Sequence, residues 1–119
     1  MRSLIAAALA LPLLAPALLA PGGAALAADC AAETLYSRYH QAIEVAKLCR
    51  DVVFEQDDID AMAGVIHGKI GGDIGAKRLS LLTAGQRAGD QLVQSKGCES
   101  AEAQELLALY DADLAPVVD

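Results

Sequence analysis

The 119-residue sequence contains no tryptophan, one phenylalanine and three tyrosines. Large aromatic side chains each bury roughly 150–250 Å², so a core short of them must be closed by aliphatic and small residues. Cations are scarce too, with 9 Lys and Arg against 16 Asp and Glu and a net charge of -7. That balance argues against nucleic acid and anionic lipid as partners, since both are polyanions. A basic protein or a cation remains compatible with it. No segment alternates apolar and polar residues with period two, and β-branched residues come in pairs at most, which removes the usual signals for strands.

Charge is missing altogether between Arg2 and Asp29. Leu4 to Leu19 is built from Leu, Ala, Ile and two prolines, and Ala25-Leu26-Ala27 places small residues where a signal peptidase reads. The pattern predicts a secretory signal peptide over 1–28 and a single helical domain over 29–119. The uncharged run is long enough to span a membrane. Pro12, Pro16, Pro21 and the Gly22-Gly23 pair make it a poor uninterrupted helix, and no membrane span is expected in the mature chain. Asp29 stands immediately before Cys30, where lipid attachment needs a small residue. Without the leader, eight Lys and Arg face sixteen Asp and Glu, a balance of -8.

What is present is helical periodicity. From Ala31 to Phe54, Leu35, Tyr39, Ala42, Ala46, Cys49 and Val53 form one apolar stripe, flanked by Tyr36, Ile43, Val45, Val52 and Phe54. An arc this wide suits a central helix that packs against two or three others. The opposite arc, assigned to solvent, holds Glu33, Ser37, His40, Gln41, Glu44, Lys47 and Asp51, with Leu48 among them. A second helix is expected to start at Asp57 as N-cap and to carry Ile59, Met62, Ala63, Ile66 and Ile70 before a turn at Gly71-Gly72. A third runs from Asp73 onward, with Gly85 and Gly89 four apart on its apolar side as packing notches. Ser100 reads as the N-cap of a short fourth helix carrying Ala103, Leu106, Leu107, Tyr110 and Leu114, stopped by Pro116. The fold class that follows is all-α: a small antiparallel bundle of three to four helices, stapled by one disulfide, after a cleaved signal peptide.

Three cysteines in an exported chain imply one disulfide and one cysteine left over. On a continuous helix, Cys30 and Cys49 lie about 28 Å apart, far beyond the roughly 4.4–6.8 Å between bonded Cα atoms. In an up-down-up arrangement the third helix ends where the first ends. The favoured pair is therefore Cys49 with Cys98, and the alternative is Cys30 with Cys98.

Chemistry-bearing patterns are few. His40 and Glu44, four residues apart, are the nearest approach to a metal-ligand pair, but a third ligand must come from another helix, and no metal is assigned. His67 is the only other histidine. There is no Cys-x-x-Cys-His for covalent haem, and Asp57, Asp58 and Asp60 miss the spacing of a calcium loop. Gly71-Gly72-Asp73-Ile74-Gly75 with Lys77 and Arg78 lacks the preceding strand of a phosphate cradle. No serine stands in a nucleophile elbow, and the two histidines suggest no triad. The parts are shared by periplasmic acid-stress chaperones and small immunity proteins, yet no residue pattern matches either. The expectation is an exported, periplasmic or extracellular, non-enzymatic module without a cofactor that binds a protein partner. The alternative is a bundle that binds a metal or a small ligand.

Overall fold

The computed structural model describes residues 21–118. The expected leader over 1–28 lies mostly outside them. Within them are four α-helices and no strand: α1 (Pro21–Arg50), α2 (Gln56–Ile70), α3 (Arg78–Lys96) and α4 (Ala101–Leu109). A 3-10 turn, Gly75–Lys77, leads into α3; a π-helical turn, Tyr110–Leu114, and a further 3-10 turn, Ala115–Val117, follow α4. The all-α bundle expected from periodicity is the observed fold.

The first helix is the frame. Ala32, Tyr36, Tyr39, Ala42, Val45 and Ala46 are buried along it, a stripe at three- and four-residue spacing that touches the other elements. It stops at Arg50, four residues before the expected Phe54. Asp51 takes a left-handed φ of 55°, which aspartate tolerates better than most residues. Lys47 and Arg50 in the last turn suit the negative end of the helix dipole. Val52, Val53 and Phe54 consequently leave the stripe, and Val53 is 86% exposed.

Local signals set the other boundaries. The N-cap of α2 is Glu55, not Asp57, because the Asp58 carboxylate accepts the Glu55 N–H at 3.0 Å, as an acidic residue at the third helical position does in a capping box. Gly71 closes the helix at φ 64°, a conformation that glycine adopts without penalty. Ser100 caps α4, its Oγ accepting the Ala103 N–H at 3.2 Å. Beyond Leu109 the chain widens into the π turn, consistent with the N–H missing at Pro116. That turn points both Tyr110 and Leu114 into the core. It also ties back to α1: the Tyr39 hydroxyl donates to Asp113 at 2.6 Å, and Arg50 pairs with Asp111.

α3 lies parallel to α1 and close against it. A Cβ built on Gly85 would stand 2.4 Å from the Ser37 carbonyl oxygen, and one on Gly89 would stand 2.9 Å from that of Gln41. The two glycines are the expected notches, but the face they seat against is the polar arc of α1. Periodicity assigns that arc to solvent; Ser37, His40, Gln41 and Glu44 are in fact half-buried beneath α3. At the end of this pair, the sulfurs of Cys49 and Cys98 are 2.06 Å apart and their Cα atoms 5.6 Å apart. The favoured cysteines stand at disulfide distance, while Cys30 is free and exposed.

Candidate binding groove

α2 packs on α1, as α3 does, but no Cα of α2 comes within 8 Å of one in α3. The two helices straddle α1 and leave a groove between them of about 430 Å³. A volume in the range of roughly 300–1,000 Å³ is that of a small-molecule site. Its floor is the α1 series Tyr36, His40, Ile43, Glu44 and Lys47. One wall is aliphatic, with Ile59, Met62, Ala63, Ile66 and Ile70 of α2, and the other carries Arg78, Leu82 and Gln86 of α3. Ile74 lines it near the Arg78 end, and Val52, Val53 and Phe54 line it at the opposite end. The apolar periodicity of α2 builds the first wall. The second owes its distance from the first to α3, drawn onto α1 by two glycines.

The polar groups are unevenly spread. Tyr36 and His40 stack with ring centroids 4.6 Å apart at an interplanar angle of 56°. Burial pushes the His40 imidazole down to about 4, so the ring is neutral at pH 7. Burial raises the Tyr36 phenol, and the charge of Arg78 pulls it partly back. By contrast, burial and the hydrogen bond to Asp113 push the Tyr39 phenol up to about 12. Further along the floor, Lys47 holds Glu44 at 3.4 Å.

His40 and Glu44, the two residues singled out for a metal, both line this groove. Among the described residues, no group of three or more His, Cys, Asp and Glu is arranged to hold a metal ion. His67 is exposed on the groove's α2 side. Arg78 was visible in the sequence only as part of a rejected phosphate motif, and Tyr36 only as a packing residue. The signal that could have found the groove is the Gly85–Gly89 pair: a helix seated there must cover a polar arc and stand away from α2. No helix among the described residues is long and apolar enough to cross a membrane. No known protein family, curated protein or solved structure matches this chain.

Proposed function

We propose that the protein is an exported, non-enzymatic binding module and that the groove between α2 and α3 is its ligand site, taking a small apolar molecule. The observation that carries this reading is the groove itself, about 430 Å³ of space with an aliphatic wall and a few grouped polar side chains. The environment-sensitive dye Nile red tests it. The expected outcome is saturable fluorescence enhancement with the folded protein, reduced at least tenfold in affinity by Ala63→Trp, which fills the groove from an exposed position on α2. Dye that binds the variant as well as the parent protein would sink the reading.

A second reading keeps a protein partner. Val53 and Ile59 are 86% and 47% exposed at the open end of the groove, and Glu55, Asp57 and Asp60 surround them in sequence. An apolar pair with an acidic border suits a basic partner, whose capture weakens with salt. Affinity capture from an envelope extract at low and high salt distinguishes this case, because a ligand held by apolar burial is not released by salt.

A further inference from the structure

Three polar side chains at one end of the groove have hydrogen-bonding capacity that no other described residue uses. Tyr36 is only 8% exposed, and its phenol is shifted by burial and by Arg78 without any hydrogen bond contributing. The His40 imidazole is likewise perturbed by burial alone. Arg78 has no carboxylate within 4.0 Å among the described residues, whereas Lys77 beside it is held by Glu33 at 3.1 Å. Six of the chain's cations do find a carboxylate: Arg38, Lys47, Arg50, Lys69, Lys77 and Lys96. Arg87 is the other described cation without one, and of the two only Arg78 lines the groove. A buried polar group without a partner is costly, so a ligand that supplies acceptors to Tyr36 and His40 relieves them, while exposed Arg78 offers it a charge.

The three groups share the ability to donate, although the phenol oxygen and the second imidazole nitrogen also accept. A phenol O–H, one N–H of a neutral imidazole and the forked N–H groups of a guanidinium are all donors, and the only uncompensated formal charge among them is positive. Away from them the side of the groove toward α2 is aliphatic, along Ile43, Ile66, Met62 and Ile59 toward exposed Val53, with the paired Glu44 and Lys47 on the floor beside it. From Tyr36 to Lys47 the α1 floor runs ~16 Å at the helical rise, room for an extended alkyl chain. Resting on the groove reading above, we propose that the ligand is a long-chain carboxylate, its head held by Tyr36, His40 and Arg78 and its chain lying along α2.

The net charge of the chain, -7, makes this assignment easy to separate from general electrostatics. Long-range attraction favours a cationic amphiphile over an anionic one, so a preference for the carboxylate must come from the site. The experiment is calorimetric titration of the full mature protein with decanoate, decanol and decyltrimethylammonium at neutral pH. Decanoate is expected to bind at least tenfold more tightly than either of the others. Arg78→Gln should weaken decanoate about tenfold and leave decanol unchanged, Arg78→Lys should keep part of the preference, and Tyr36→Phe should weaken decanoate several-fold. Arg78 is exposed at the start of α3, so its variants should keep the parent's circular dichroism. If all three amphiphiles bind alike and Arg78→Gln changes nothing, the carboxylate assignment is overturned while the groove reading stands. If none binds and Nile red does not either, both fall.

Discussion

His40 is a base buried in its neutral form, and the cost of that arrangement depends on pH. Its folded value is about 4, against an ordinary value of 6.5. Between these values the unfolded chain takes up a proton that the folded protein refuses. Stability therefore falls as the pH drops from about 6.5 to about 4 and is not lost further to this residue below that. With allowance for its partial exposure, the effect is about 2 kcal/mol. Arg50, mainly through its hydrogen bond, holds the Asp111 carboxyl below its ordinary 3.8. That contribution is present above the ordinary value and disappears only as the pH falls through the lower folded one, so the two windows separate. Urea denaturation of the parent protein and of His40→Gln at about pH 7 and about pH 4.5 checks the assignment. The parent should lose stability between the two and the variant should lose much less; equal losses would remove His40 as the cause.

Helix contacts here are decided by where a side chain is absent. Gly85→Ala would drive a methyl group against the Ser37 carbonyl oxygen, and forcing two backbones apart costs about 1–3 kcal/mol, more than the gain in helix propensity. Gly64 lies in the interior of α2 with nothing within 4 Å of its missing Cβ, so Gly64→Ala should stabilise by up to about 1 kcal/mol. Chemical denaturation should show opposite signs for the two, and a neutral Gly85→Ala would mean that α3 does not sit where its glycines place it. Element type and the notches were legible in the sequence because periodicity and glycine placement are local signals. The end of α1 was not: Val52 and Val53 continue an apolar pattern, while the left-handed turn at Asp51 breaks the helix without a glycine or proline to announce it. The groove was illegible for a different reason. His40 and Glu44 are polar residues at polar spacing, and only the approach of α3 makes them a floor. Arg78 gains its meaning from a gap between two helices, which no single stretch of sequence encodes.

At the scale of the molecule, the expected covalent link joins residues 49 apart in sequence. Closing such a loop removes unfolded-state entropy worth roughly 4 kcal/mol, a large fraction of the stability of a domain this small. Cys49→Ser or Cys98→Ser should lower the melting temperature correspondingly and Cys30→Ser should leave it nearly unchanged, with peptide mapping of unreduced protein to find the linked pair. A Cys30 to Cys98 peptide would contradict the arrangement. The position of the link has a mechanical consequence. α1 enters the closed loop at Cys49 and α4 departs from Cys98, so α2 and α3, the two walls of the groove, belong to the enclosed length of chain, while its floor on α1 lies outside it. A pull on the flanking segments travels down α1, across the two sulfurs and out through α4. The groove walls lie beside that line of force, and the tension never runs through them.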